Sequence, residues 1–126
     1  MIAIKGFSLI ELISVVAIVA ILVSIAYPSY QNQVQSSHRA AVQGEMLAYA
    51  QVMQQCFTRS NSFVGCDQQY TADVDKTRYG IAVENVTANA FEIVGTPLNA
   101  QRSDRCGTMT LRQDGVTTAA QTDCWY

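Results

Sequence analysis

Residues 5–14 read KGFSLIELIS, and the apolar run they open continues to Tyr27. The stretch Phe7–Tyr27, FSLIELISVVAIVAILVSIAY, has the ~20 residues that a bilayer-spanning helix needs. Lys5 is the only charge in the preceding MIAIKG, and a basic residue there favours keeping that end in the cytoplasm. The run is longer than the ~7–15-residue core of a secretory signal, and no small-x-small cleavage site set off by polar residues closes it. A plain signal anchor would accommodate everything except Glu11. A carboxylate in the bilayer costs about 2.5–3.5 kcal/mol on insertion scales, so it calls for a partner. A cut between Gly6 and Phe7 would supply one. Phe7 would then carry a new α-amine, with Glu11 four residues later on the same helical face. Glu11 would also lie in the first turn, where the macrodipole favours an anion. The amine could be its own or that of a neighbouring chain, which would make Glu11 an assembly device.

KGFSLIEL, the apolar helix and the following YPSY (residues 27–30) together resemble the N-terminus of a type IV pilin. The resemblance implies cleavage after Gly6 by a prepilin peptidase, N-methylation of Phe7, and a filament-assembly role for Glu11. Type II secretion pseudopilins share this signature. Many pilins have a mid-segment glycine where Ala20 stands here, and they can lose helicity between it and the following proline. Pro28 lacks a backbone donor and crowds the Ser24 carbonyl, so a kink or local break is expected, with Ala20 opposing its spread.

Beyond Pro28 the polarity rises. Val42, Met46, Tyr49, Met53 and Phe57 recur at helical steps, with Ala50 and Cys56 alongside. This stripe reads as the core-facing side of an amphipathic helix whose other face is rich in Gln, Ser and Arg. The methionines are core fillers, His38 reads as solvated, and Gly44 is expected to mark close packing against a sheet. TRSNSFVGCDQQYTADVDKT (58–77) loses the period and reads as a loop. Tyr79–Val86, Ala90–Pro97 and Cys106–Gly115 then alternate as strands, the last ending on an Asp-Gly turn signal. Short connections imply an antiparallel meander, its apolar face covered by the helical stripe. The resulting class is α+β, the type IV pilin fold. Its expected organisation is a leader (1–6), a transmembrane and assembly helix (7–28) and a globular head (29–126). The head comprises the amphipathic helix (29–57), a loop (58–78) and a sheet with a disulfide-bonded C-terminal region (79–126).

The chain has four cysteines, Cys56, Cys66, Cys106 and Cys124, all after the apolar run. An even number behind a membrane-targeting segment favours two disulfides in an oxidising compartment. Proximity in sequence pairs Cys56 with Cys66 and Cys106 with Cys124. The second bridge would pin the tail to the third strand, worth about 3 kcal/mol by chain entropy. CGTMTLRQDG followed by DCW is similar to the C-terminal pattern of minor pilins of the PilE type in gamma-proteobacteria.

Chemistry is sparse. There is no phosphate-binding glycine loop, zinc signature or Ser/His/Asp context. Asp73 and Asp75 lack the spacing of a calcium hand. No enzyme activity, cofactor or metal is expected. The net charge of −2 gives no global drive toward nucleic acid. Arg102, Arg105 and Arg112, with Lys76 and Arg78, form a weak basic footprint offset by Asp75, Asp104 and Asp114. The expected function is a structural subunit of a type IV pilus, a minor pilin that primes assembly or enters the fibre. The alternatives are a DNA-binding pilin of natural transformation, through Arg102, Arg105 and Arg112, and a type II secretion pseudopilin. Expected partners are other pilins, the prepilin peptidase, the inner-membrane assembly machinery and, more weakly, DNA. The expected location is the inner membrane, single pass with the head in the periplasm, and then the extracellular pilus.

Overall fold

A computed structural model describes residues 6–126; Lys5 and the residues before it, read above as leader, lie outside the described residues. One helix, α1 (Leu9–Ser60), carries 52 residues, and the chain divides into two units at Val34/Gln35. In the first unit α1 is apolar enough to cross a membrane, with a mean hydropathy of 2.8 over its most apolar window. Its large side chains, from Phe7 through Ile25, are exposed. Such a helix suits lipid because each backbone bond closes within the segment. Its hydroxyls follow the same logic: Ser14 Oγ donates to the Ile10 carbonyl and Ser24 Oγ to the Ile21 carbonyl, both at 2.7 Å. The expected break before Pro28 is absent, and helix continues through the proline. Alanine rather than glycine at position 20 favours helix in the turns before the proline.

In the second unit α1 buries Arg39, Val42, Gln43, Met46, Tyr49, Met53 and Cys56, while Phe57 is half-buried and stacks on Phe63 at 4.6 Å. The helix ends where Asn61 adopts φ 55° and its amide bonds the Phe57 carbonyl at 2.7 Å, a left-handed cap. The loop contains a short 3₁₀ turn, Cys66–Gln69. Four strands follow: β1 (Tyr79–Glu84), β2 (Glu92–Pro97), β3 (Met109–Arg112) and β4 (Thr117–Thr118). They form an antiparallel meander in the order β1-β2-β3-β4. Tyr79, Phe91, Ile93, Met109 and Leu111 join the α1 stripe and Phe63 in one core.

The strands are shorter than their alternating patterns suggested, and β4 is additional. Asp114-Gly115 turns the chain: Gly115 has φ 82°, and its amide reaches the Arg112 carbonyl at 3.0 Å. Trp125 Nε1 then donates to the Thr118 carbonyl at 2.9 Å, occupying one acceptor of the edge strand. Gly44 corrects its expectation, since a Cβ there would meet nothing within 4 Å. The close approach belongs to Gly95 on β2, where a Cβ would lie 3.0 Å from Met46 Sδ.

Candidate functional site

Glu11 lies in the first turn of α1, and the Leu12 amide bonds the Ser8 carbonyl at 3.1 Å to begin the ladder. Gly6 precedes the helix, and Phe7 is exposed. Gly6, Phe7 and Ser8 thus lie just before the helix, with Glu11 near the positive end of its dipole.

The head's polar residues are organised around the two disulfides, Cys56–Cys66 and Cys106–Cys124. Between β2 and β3 the chain makes a 3₁₀ turn, Asn99–Ser103, tied down by Asn99 Nδ2 donating to the Thr77 carbonyl at 2.8 Å. Asp104 follows and is buried, contrary to its reading as a surface charge. Its carboxylate accepts four donors: Arg39 Nη1 at 2.6 Å, the Cys106 amide at 3.0 Å, Gln101 Nε2 at 2.9 Å and Tyr79 Oη at 3.1 Å. Desolvation, with Asp104 alongside, pushes the Tyr79 hydroxyl up to about 12. Arg39, read as part of the solvated helix face, is thereby a core residue. Stepping back three residues from Val42 lands on it, so its position on the apolar stripe was the available signal.

The C-terminal segment docks on the same helix. Gln43 Nε2 donates to the Cys124 carbonyl, and the hydroxyls of Ser36 and Tyr126 share a bond of 2.7 Å. On the loop side, Glu45 Oε2 accepts from Tyr70 Oη at 2.7 Å and from the Asp73 amide at 2.9 Å. His38 is half-buried rather than solvated, in a small cleft with Asp73, Asp75 and Arg78. Asp75 Oδ1 accepts from the Thr77 hydroxyl and amide, which hold its carboxyl below the usual range.

Arg102, Arg105 and Arg112, the three arginines read as possible DNA contacts, have different fates. Arg102, on the 3₁₀ turn, and Arg112, at the outward-facing end of β3, are exposed, with no ion pair among the described residues. Arg105 is exposed but paired with Asp123. Three strand steps from Met109 to Arg112, at about 3.3 Å each, set Arg112 along β3 and away from the disulfide end. The three therefore lie on different parts of the head: Arg102 on the 3₁₀ turn, Arg105 beside the Cys106–Cys124 bridge and Arg112 at the end of β3. Among the described residues no group of His, Cys, Asp and Glu side chains could hold a metal.

Comparison with protein families matches residues 28–110 to the family described as type IV minor pilin ComP, DNA uptake sequence receptor. Residues 1–27 match the prokaryotic N-terminal methylation motif. Among solved structures, the fold is similar to the selenomethionine crystal form of the Neisseria meningitidis non-core minor pilin PilV. The TM-score is 0.60 at 17% identity, covering 73% of this chain and 92% of that chain. No curated protein matches. The methylation motif, the long helix on a four-stranded antiparallel sheet and the family match over most of the head agree, and the chain belongs to the ComP family of type IV minor pilins.

Proposed function

We propose that this minor pilin binds DNA through its head, while its N-terminal helix carries it into the fibre. The observation that supports DNA binding is the family match, whose description names a DNA uptake sequence receptor and whose span includes Arg102 and Arg105. Arg112 lies two residues beyond that span and adds a third guanidinium on an exposed strand end. With a net charge of −2 the chain has no general attraction for a polyanion, so affinity rests on these few side chains. Each phosphate neutralised releases counterions, contributing about −0.9 to the slope of log K against log salt. The two unpaired arginines predict a slope of about −2 by the same rule. The test is a salt series of duplex binding by the full-length protein in detergent micelles, compared with an R102Q/R112Q double variant. A shallower slope and weaker binding in the variant support the reading. Salt-independent binding, or none, overturns it.

In this reading a prepilin peptidase cleaves between Gly6 and Phe7 and Phe7 is N-methylated. The protein waits in the inner membrane as a single-pass subunit with its head in the periplasm. The assembly machinery then passes it to other pilins, with Glu11 paired to a Phe7 amine. Removing one partner of such a low-dielectric pair leaves the other charge uncompensated. Glu11→Ala should therefore be processed normally and accumulate in membranes, yet be depleted from sheared fibres. Equal incorporation would remove the assembly role.

A further inference from the structure

Arg105 and Asp123 each immediately precede a bridged cysteine, Cys106 and Cys124, so the disulfide sets them side by side. Arg105 Nη1 donates to Asp123 Oδ1 at 3.3 Å and Nη2 to Oδ2 at 2.7 Å. This is the two-pronged geometry a guanidinium offers to a phosphate. Both side chains face solvent, 60% and 63% exposed, and neither bonds any other side chain among the described residues. The tail does not need the pair. It is already held by the disulfide, by Gln43 on the Cys124 carbonyl, by Trp125 on Thr118 and by Tyr126 on Ser36.

We propose that Asp123 is a built-in competitor for DNA phosphate, which holds Arg105 in its own ion pair and keeps it from the backbone of bound DNA. The inference rests on the DNA-binding reading and concerns how that surface is regulated. An edge of the guanidinium that is engaged by a carboxylate cannot also grip a phosphate. The shared hydrogen bonds hold the Asp123 carboxyl below its usual range, so it stays ionised at neutral pH. Because phosphate contacts carry no direct sequence information, the competition weakens binding to all duplexes alike. Any base contacts then account for a larger share of what affinity remains.

The test uses the full-length protein in detergent micelles and a short random-sequence duplex, followed by fluorescence anisotropy over a salt series. Asp123→Asn should bind about 3- to 10-fold tighter, with a slope steeper by about one unit, as one further phosphate contact requires. Arg105→Gln should bind no more tightly than wild type and keep its slope, because the paired arginine makes no phosphate contact to lose. In the Arg105→Gln background, adding Asp123→Asn should change affinity by less than about twofold, because the arginine it would release is gone. Affinity and slope unchanged in Asp123→Asn would overturn the inference. So would an equal gain in both backgrounds, which would reduce Asp123 to a general charge. Absence of salt-dependent binding in wild type and Asp123→Asn alike overturns the DNA-binding reading itself, and this inference with it.

Discussion

Asp104 shows what one buried carboxylate can organise. Its four donors come from α1, β1, the 3₁₀ turn and the start of the disulfide segment, so a single side chain fixes where those pieces meet. A buried ion pair is weak evidence for net stability, but removing one partner costs about 3–5 kcal/mol because the other is left uncompensated. Asp104→Asn should therefore lower the free energy of unfolding by about that amount in urea titrations, whereas exposed Asp73→Asn should change it by under about 0.5 kcal/mol. The same cluster sets an alkaline limit. The Tyr79 hydroxyl is raised to about 12 when folded, against about 10 when unfolded. The unfolded chain thus loses this proton first as pH rises. Stability is intact below pH 10 and declines between roughly pH 10 and 12. Tyr79→Phe should make that decline shallower; an identical alkaline profile would show that Tyr79 is not responsible.

At the scale of elements, two glycines have opposite consequences. Gly95 sits where β2 crosses α1, and a Cβ there meets the fully buried Met46 at 3.0 Å. Gly95→Ala forces the methionine to move inside a filled core, which overpacking precedents put at about 1–3 kcal/mol. The cost should shrink in a Met46→Ala background, where the obstructing sulfur is absent. Gly44 lies on the exposed face of α1 with open space around its would-be Cβ. Gly44→Ala should stabilise by about 0.8–1.0 kcal/mol through helix propensity alone. Thermal unfolding of the two single variants decides between these assignments, since equal shifts of the same sign would contradict the crossing geometry. The sheet's outer face explains its short last strand. Ala82, Val94, Thr110 and Thr118 are successive cross-strand partners, and the two threonine hydroxyls bond at 2.6 Å. Two residues suffice for β4 because the Asp-Gly turn and Trp125 hold its ends.

For the whole molecule, the disulfides close the two segments that have least regular structure. Cys56–Cys66 spans the helix end and the loop, and Cys106–Cys124 spans β3, β4 and the tail, with separations of 10 and 18 residues. Closing the longer loop is worth about 3 kcal/mol in the chain-entropy model. Replacing Cys106 and Cys124 with serine should lower stability by about that much and also separate Arg105 from Asp123. Non-reducing peptide maps of the native protein should contain only the Cys56–Cys66 and Cys106–Cys124 linked peptides. A linked Cys56–Cys106 peptide would refute this framework.

Some of this was legible in the sequence because it is written in near neighbours. The apolar run with Glu11 at its fifth residue after Gly6 needs no tertiary context, since lipid fixes both the length of the helix and the cost of the carboxylate. The helical stripe from Val42 to Phe57 and the period-two strands likewise show which faces turn inward. Only the folded chain decided the rest. Arg39 meets Asp104 across 65 positions, Arg105 meets Asp123 across 18, and Gly95 meets Met46 between a strand and a helix. Periodicity says that a face is buried but not what lies opposite it. Partner choice therefore emerged from packing, and packing turned a surface arginine into a core residue, paired Arg105 and left Arg102 and Arg112 without an ion pair among the described residues.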